Sequence, residues 1–328
     1  MNVLVTGAAG YIGSTITEEL TQKGNFVIAL DNLKQGHREA VAPEAVFVQT
    51  DLADLQGLDD VFRRYSIEAV VHLAADSIVE QSMTNPKETF QNNIINGLNL
   101  IDIMLKHSVL KLVFSSSAAV YGEPERIPIE ENHSKKPTNP YGESKLIFER
   151  ILHWYGHTYR LKSVSLRYFN AAGASQRFGE DHHPETHLIP NALKVALGQI
   201  SEIPIFGTDY PTKDGTCVRD YIHVLDIAKA HILSLKYLEK SIDNRAYTYN
   251  LGNGKGYSVM EVIETVRKVT GAQVPTVVRP RRLGDPAVLV ASSELAKSSL
   301  GWQIEFPDIG TIVESAWQWK RKHVHGYG

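Results

Sequence analysis

A glycine-rich segment, TGAAGYIG at residues 6–13, most constrains how this chain can fold. It follows the first apolar run directly and precedes a stretch with helical periodicity. A strand, a glycine turn and a helix in this order form a cradle in which the helix N-terminus faces a phosphate group. In that arrangement Gly7 permits the tight turn, Gly10 lets a pyrophosphate approach the backbone, and Gly13 lets helix and strand pack closely. The segment therefore predicts a dinucleotide-binding α/β fold.

The spacing of apolar residues extends this pattern along the 328-residue chain, because short β-branched runs alternate with longer amphipathic stretches. The predicted strands are residues 3–5, 26–30, 46–49, 69–73, 112–115 and 163–167. The predicted helices lie near residues 11–22, 55–65, 87–107, 140–159, 188–197, 225–238, 259–270 and 308–320. Helix-length connections indicate a doubly wound, Rossmann-like parallel sheet with helices on both faces. We expect an NAD-binding domain at 1–168 and a smaller α/β substrate-binding domain at 169–328, with segments near 217–238 packing back on the first.

An aspartate after the second predicted strand favours NAD as the cofactor. Asp31 lies eighteen residues beyond the glycine segment, where a carboxylate accepts hydrogen bonds from the adenosine ribose. The same carboxylate repels a 2′-phosphate, although three nearby cations leave NADP open: Lys34, His37 and Arg38. Asp51, after the third strand, is either an adenine contact or the cap of the next helix.

The stretch NPYGESK carries a tyrosine and a lysine on one helical face. Asn139 suits the helix cap and Pro140 the first helical position, so Tyr141 falls in the first turn and Lys145 one turn later. Base catalysis by a phenol near neutral pH needs roughly 4 kcal/mol of phenolate stabilisation. The lysine charge, the positive helix end and an oxidised nicotinamide are the predicted sources.

A serine at the end of another predicted strand completes this chemistry. Ser117, in SSSAAVYG, lies at the carboxyl end of its strand, where open parallel sheets bind ligands. Its hydroxyl can bond the reacting substrate oxygen beside Tyr141. Alone, the serines would be interpreted as turn formers and the Tyr141–Lys145 pair as a surface helical pair. Their joint occurrence behind a dinucleotide-binding segment favours hydride transfer.

These motifs resemble the extended short-chain dehydrogenase/reductases nearly from end to end. The matching motifs are TGAAGYIG, DNL at 31–33, HLAA at 72–75, NNIING at 92–97, SSSAAVYG at 115–122, YGESK at 141–145, LRYFNAAG at 166–173, VRDYIHVLDIA at 218–228, YNLGNG at 249–254 and RRLGD at 281–285. The motifs LRYFNAAG, VRDYIHVLDIA and RRLGD together resemble those of the family members that epimerise UDP-hexoses at C4. Dehydrating relatives carry acidic residues where this chain has Ala118 and Ala119, so the resemblance implies plain oxidation and re-reduction, with UDP-galactose and UDP-glucose as substrates.

The resemblance also implies which residues form the site. The catalytic residues would be Ser117, Tyr141 and Lys145. The cofactor residues would be Gly7, Gly10, Tyr11, Ile12, Gly13, Asp31, Asn32, Asp51, Leu52, Leu73, Ala74, Ala75, Asn92, Ser115, Tyr141, Lys145 and Phe169. The UDP-sugar residues would be Ser117, Tyr141, Asn170, Leu188, Ile205, Phe206, Arg219, Arg282 (or Arg281), Asp285 and Leu289.

One position bears on the substrate range. Leu289 occupies the place where relatives carry either a bulky tyrosine or a small residue beside the sugar C2 substituent, so we expect tolerance of UDP-N-acetyl sugars. Two alternatives stay open: a 4-epimerase for UDP-glucuronate or a UDP-pentose, and a catalytically silent NAD-binding regulator.

The composition excludes several other classes of protein. A formal charge of −3 argues against a nucleic-acid partner, and no window of about eighteen apolar residues predicts a membrane span. The first apolar run lacks a basic leader, and Cys217 is the single cysteine, so we expect a cytoplasmic protein. The resemblance implies a homodimer.

The stretch DHHPETH at 181–187 holds three histidines. The adjacent His182 and His183 cannot easily face one ion, and the expected chemistry needs none, so we expect a substrate-domain loop and no metal.

Overall fold

A seven-stranded parallel sheet forms the centre of the structure, a computed structural model that describes residues 1–282 and 285–328. Leu283 and Gly284 of the RRLGD motif lie outside the described residues. The strands of the sheet are β1 (Asn2–Thr6), β2 (Phe26–Asp31), β3 (Val46–Gln49), β4 (Ala69–His72), β5 (Lys111–Ser117), β6 (Lys162–Tyr168) and β10 (Ala246–Leu251). Their order is β10-β6-β5-β4-β1-β2-β3. The six predicted strands are confirmed to within two residues at each end, whereas β10 is not among the predictions.

Helices cover both faces of this sheet. They are α1 (Tyr11–Gln22), α2 (Leu55–Arg64), α3 (Val79–Thr84), α4 (Pro86–Phe90), α5 (Asn96–Lys106) and α6 (Pro140–Tyr159). The single helix predicted at 87–107 consists of α4, a π-helical turn (Gln91–Ile95) and α5, and α3 precedes them. The break between α3 and α4 has a local cause, because Asn85 caps α4 and the residue before a proline disfavours helical geometry. Among the described residues no helix is long and apolar enough to cross a membrane.

The second half of the chain builds a smaller layer beside the carboxyl edge of the sheet. Its strands are β7 (Asn170–Ala172), β8 (Ile203–Phe206), β9 (Val218–His223), β11 (Gly256–Ser258), β12 (Thr276–Arg279) and β13 (Val288–Leu289). Its helices are α7 (Leu188–Ala196), α8 (Val224–Lys240), α9 (Val259–Thr270), α10 (Glu294–Leu300) and α11 (Ile309–Lys322). Strand β9 pairs with β7, β11 and β13, and β8 pairs with β12.

Two of these later segments return to the first layer. Helix α8 packs against α1, and Ile227 and Leu235 share one hydrophobic core with Ile16 and Leu20. Strand β10 extends the large sheet beyond β6. The division at residue 168 stays a prediction, and residues from both of its halves build the central sheet.

A buried ion pair joins α6 to β6. The guanidinium of Arg167 donates to both carboxylate oxygens of Glu149, at 2.8 and 2.5 Å, and the two side chains are 3% and 8% exposed. The Ser116 hydroxyl donates to the same carboxylate at 2.6 Å, and Arg167 also donates to the Tyr121 hydroxyl at 2.8 Å. Because every charged atom has a partner, the pair can remain ionised in the interior.

Glu149→Ala leaves the Arg167 charge buried without its counter-ion. We expect the free energy of unfolding to fall by about 3 to 5 kcal/mol. Urea denaturation followed by circular dichroism measures this value. Arg150→Ala, at the exposed neighbouring position of the same helix, is the control and should change it by less than about 0.5 kcal/mol. Equal effects of both substitutions would contradict the structural role of the pair.

Candidate active site

The site lies at the carboxyl edge of the large sheet, where the strand order reverses between β1 and β4. The chain leaves β1 toward β2 on one side and leaves β4 toward β5 on the other, which opens a crevice. A cavity of about 1040 Å³ occupies this crevice and continues into the smaller layer. Parallel sheets of this type bind ligands at such a reversal, so the topology places the predicted motifs around one cavity.

The three glycines of the turn differ in what surrounds them. A Cβ on Gly7, which has φ +72°, would lie 2.7 Å from the Ala74 nitrogen, and one on Gly13 would lie 2.0 Å from the Gly7 oxygen. A Cβ on Gly10 would meet only the Gly7 oxygen, at 3.5 Å. Gly10 is also the N-cap of α1, and no side chain caps that helix. The space above Gly10 therefore forms a cradle into which the first N–H groups of the helix can donate, which fits a pyrophosphate.

Asp31 is anchored at the rim of this cradle. Its Oδ2 accepts a hydrogen bond from the Ala9 nitrogen at 3.0 Å, and its Oδ1 accepts one from the Leu33 nitrogen at 2.8 Å. Burial raises the pKa of Asp31, and the backbone donors oppose this effect. Each carboxylate oxygen keeps a further acceptor site for a ribose hydroxyl.

Asp51 does not cap the helix that follows it. Its carboxylate accepts hydrogen bonds from the Asn32 side chain at 2.6 Å and from the Ala53 nitrogen at 2.8 Å. The cap of α2 is Asp54, which accepts from the Gly57 nitrogen at 3.0 Å. The helix-cap alternative for Asp51 is therefore wrong, and Asp51 lines the cavity together with Asn32.

The serine, the tyrosine and the lysine meet where β5 and α6 face each other. Asn139 caps α6 by accepting from the Gly142 nitrogen at 2.8 Å, so Tyr141 lies in the first turn as predicted. The Lys145 Nζ lies 5.6 Å from the centre of the Tyr141 ring and donates to the Ser115 carbonyl at 2.9 Å. The strand ends at Ser117, whose hydroxyl accepts from the Ala119 nitrogen at 3.1 Å and acts to lower the pKa of Tyr141.

Burial acts on the two titratable groups in opposite directions. It raises the pKa of Tyr141, and the hydrogen bond with Ser117 only partly lowers it. It lowers the pKa of Lys145 to about 7, against the attraction of the Glu149 carboxylate. Both changes favour the neutral form of the group. Burial therefore opposes the predicted lowering of the Tyr141 pKa.

Two arginines also line the cavity. Arg219 pairs with Asp285 and donates to the Val218 carbonyl at 2.8 Å. The Arg282 guanidinium stacks 4.0 Å from the centre of the Phe206 ring. Both arginines line the cavity.

The Arg281 side chain makes different contacts from those of Arg282. It donates to Asp209 at 2.7 Å and lies 4.1 Å from the centre of the Tyr210 ring. Between the two alternatives for a diphosphate contact, the geometry therefore favours Arg282.

The other predicted site residues differ in whether they line the cavity. Every predicted cofactor and UDP-sugar residue except Ile205 lines the cavity, among them Phe169, Asn170 and Leu289. Ile205 is 3% exposed and packs in the hydrophobic core of the smaller layer. Its placement corrects the prediction of a substrate contact, because alternate residues of a strand face opposite sides and Phe206 takes the cavity side. Ala118 also lines the cavity, directly after Ser117.

His187 is one of several cavity residues that are absent from the predicted site. His187 lines the cavity as the residue before the first turn of α7, and its ring bonds Glu185 at 2.7 Å. A histidine directly before a predicted helix could have signalled this position.

A sheet and cavity of this kind are those of dinucleotide-dependent enzymes that move a hydride. The chain belongs to the NAD dependent epimerase/dehydratase family, whose model matches residues 3–252. A relative from Halalkalibacterium halodurans, named UDP-glucose 4-epimerase, is 52% identical over 329 residues, which cover 100% of this chain and 98% of the relative.

Solved structures agree with this assignment. A crystal structure of a UDP-glucose 4-epimerase is 48% identical, has a TM-score of 0.97 and is covered over 100% of both chains. Another, of UDP-glucose 4-epimerase from Bifidobacterium longum in complex with NAD+ and UDP, is 38% identical, with a TM-score of 0.94. The match covers 99% of this chain and 100% of that chain.

Gly10→Ala and Gly13→Ala should separate the binding and folding roles of the glycine turn. At Gly10 the added Cβ fills the cradle without a clash, so stability stays within about 0.5 kcal/mol. The affinity for NAD falls at least about 10-fold, or 1.4 kcal/mol. At Gly13 the clash with the Gly7 carbonyl lowers the free energy of unfolding by about 1 to 3 kcal/mol. Denaturation curves and calorimetric titration with NAD measure both values, and unchanged NAD affinity in Gly10→Ala would refute the cradle.

Proposed function

We propose that this protein interconverts UDP-galactose and UDP-glucose, by oxidising the sugar at C4 and reducing it again with bound NAD. The observation that carries this proposal is that Ser117, Tyr141 and Lys145 line the same cavity as Arg219 and Arg282. The similarity to proteins named UDP-glucose 4-epimerase over the full chain supports the same substrates.

The residues around the glycine turn fit NAD. The open cradle at Gly10 and the uncapped start of α1 suit the pyrophosphate, and Asp31 suits the adenosine ribose. Lys145 would bond the nicotinamide ribose. When bound, NAD supplies an acceptor for the hydride and returns the same hydride, so no net oxidation results.

Tyr141 acts as the base in the oxidation step and as the acid in the return step. It accepts the proton of the C4 hydroxyl, while Ser117 hydrogen-bonds the same oxygen and the C4 hydride leaves as the carbonyl forms. Since burial raises the pKa of Tyr141, the phenolate needs a positive charge beyond the groups of the protein. The oxidised nicotinamide carries that charge, which couples the basicity of Tyr141 to the redox state of the cofactor.

The arginines hold the part of the substrate that does not react. Arg219 and Arg282 would bind the diphosphate, since a guanidinium can pair two phosphate oxygens at once. Asn170 would bond the sugar nucleotide beside Phe169. Anchoring at the diphosphate keeps the 4-keto intermediate in the cavity while its sugar turns and presents its other face to the hydride.

Tyr141→Phe tests both the function and the base. We expect the wild-type protein to interconvert UDP-galactose and UDP-glucose, and kcat to fall by about 100- to 10,000-fold in the variant while NAD remains bound. A coupled assay for UDP-glucose formation measures this. Tyr159→Phe, at the exposed end of the same helix, is the control and should retain wild-type kcat. Full activity in Tyr141→Phe would refute the base assignment, and an inactive wild type would refute the function.

The alternatives are less well supported. A UDP-glucuronate or UDP-pentose 4-epimerase would share the chemistry but not the substrate named for the most similar relatives. A silent NAD-binding regulator would not need Ser117, Tyr141 and Lys145 at the cavity. The absence of carboxylates at Ala118 and Ala119 argues against dehydration.

We also propose that the enzyme accepts UDP-N-acetyl sugars. Leu289 lines the cavity opposite Arg219 in the β13–β9 pairing and packs against the cluster that contains Phe169. Leucine is smaller than tyrosine and leaves room beside the sugar.

Leu289→Tyr should close that room. We expect kcat/KM for UDP-N-acetylgalactosamine to fall at least about 10-fold, or 1.4 kcal/mol, with kcat/KM for UDP-galactose changed much less. Leu289→Met conserves the volume and is the control. Wild-type protein that leaves UDP-N-acetylgalactosamine unconverted would contradict the proposal.

A homodimer and a cytoplasmic location remain predictions from the resemblance and the composition.

A further inference from the structure

The sheet formed by β7, β9, β11 and β13 presents two neighbouring β9 side chains to the cavity. Arg219 and Tyr221 are alternate residues of β9, so they point to the same face of the sheet, and both line the cavity. Asp220 points to the other face, where it accepts hydrogen bonds from the Asn253 and Gly254 nitrogens at 2.7 and 3.0 Å. Tyr221 therefore lies on the same side of β9 as Arg219, the proposed diphosphate contact.

The register of this sheet places Tyr221 among the proposed substrate contacts. Tyr221 pairs with Asn170 of β7, and Arg219 pairs with Leu289 of β13. Neighbouring strands lie about 4.8 Å apart, and paired residues share a face of the sheet. All four residues line the cavity. One wall of the cavity is thus built from Asn170 and Tyr221 in one row and from Arg219 and Leu289 in the next.

The Tyr221 side chain is buried, yet its hydroxyl has no hydrogen-bond partner within the described part of the chain. The residue is 5% exposed and belongs to the hydrophobic core of the smaller layer. Its main-chain carbonyl accepts a hydrogen bond from the Asn253 side chain at 2.5 Å, which holds the backbone in place. Buried polar groups in folded proteins normally have a partner, so an unpaired phenol in a cavity wall indicates a ligand contact.

This hydroxyl opens into the cavity and not into the core. Three hydroxyls of the described residues are enclosed without a partner, and the Tyr221 hydroxyl is not one of them: they belong to Thr17, Ser163 and Tyr210. Since Tyr221 lines the cavity, its unpaired hydroxyl is accessible there. The charges of Arg219 and Asp285 both act on the phenol, which places it close to this ion pair.

A protonated phenol beside a guanidinium suits an anionic acceptor. Burial raises the pKa of Tyr221 well above its usual range, so the phenol stays protonated at neutral pH and can donate a hydrogen bond. Asp285 offsets part of the positive charge that Arg219 offers to a diphosphate. A neutral donor at this position adds a charge-assisted hydrogen bond to a phosphate without repelling the guanidinium.

We propose that the Tyr221 hydroxyl donates a hydrogen bond to a phosphate oxygen of the UDP-sugar, beside Arg219. This inference rests on the proposed function, because it adds a contact within the same substrate site. Tyr221 holds the part of the substrate that does not react. It helps to keep the diphosphate fixed while the sugar of the 4-keto intermediate turns.

Tyr221→Phe removes the hydroxyl and keeps the ring in the core. For the NAD-loaded protein we expect the Kd for UDP and the KM for UDP-galactose to rise at least about 10-fold, as for a lost hydrogen bond to a charged group. Calorimetric titration and the coupled assay measure these values. We expect kcat to change less than about threefold, because the contact is remote from the reacting carbon. The Tm should not fall, since the hydroxyl has no partner among the described residues.

Tyr257→Phe is the matched control. Tyr257 pairs with Arg219 from β11 and packs against the same hydrophobic core, but it is not among the described residues that line the cavity. The Kd for UDP in this variant should equal that of the wild-type protein. A rise equal to that in Tyr221→Phe would mean that loss of any hydroxyl in this sheet weakens binding, and would overturn the inference.

Uridine, which lacks phosphates, identifies the group that Tyr221 contacts. Its inhibition constant against UDP-galactose should be the same for the wild-type protein and Tyr221→Phe. Weaker inhibition of the variant would place the contact at the nucleoside, and a lower kcat at unchanged KM would place it at the sugar. Either result, or an unchanged Kd for UDP, would overturn the inference. A wild-type protein that converts no UDP-galactose but binds UDP more tightly than the variant would refute the proposed function alone.

Discussion

The buried ion pair between Arg167 and Glu149 is the interaction on which the site most depends. Glu149 lies one turn beyond Lys145 on α6, and Arg167 lies near the carboxyl end of β6. The pair therefore fixes how α6 sits against the sheet, and with it the distance from Lys145 to the Ser115 carbonyl. Two buried charges are tolerated here because the bidentate contact and the Ser116 hydroxyl satisfy them.

Burial defines the chemistry of the same region. It favours neutral Tyr141 and neutral Lys145, and so it opposes formation of the phenolate. A bound cofactor that carries positive charge would favour the phenolate, and its reduction would remove that effect. Such coupling suits a reaction in which one group removes a proton and later returns it, since its basicity follows the step being catalysed.

Local features of the sequence predict much of this structure. The strands of the first half were predictable because each is a short β-branched run between helix-length segments. Asn139, Pro140, Tyr141 and Lys145 follow from capping and helical spacing, which depend on near neighbours only. Strand β10 was not predicted, because joining the edge of a sheet depends on β6, which lies about eighty residues earlier in the chain.

Predictions that depended on contacts between residues far apart in the sequence were less accurate. The cap role of Asp51 was excluded by the contacts that Asp51 and Asp54 make, and the different contacts of Arg281 and Arg282 favour Arg282 for the diphosphate. Ile205 was predicted to contact substrate but faces the core. In each case the residue type was suitable, and only packing determined which way the side chain points.

The sequence by itself determined the alternation of strands and helices, the glycine turn and the chemical groups available for catalysis, because these depend on local propensity and spacing. The tertiary structure alone decided which distant groups meet. It brought Arg167 to Glu149, Arg219 to Asp285, and Glu180 to His182 and its neighbours. Contacts of this kind depend on the folded path of the chain and on burial, which sets the electrostatic cost of every charged group.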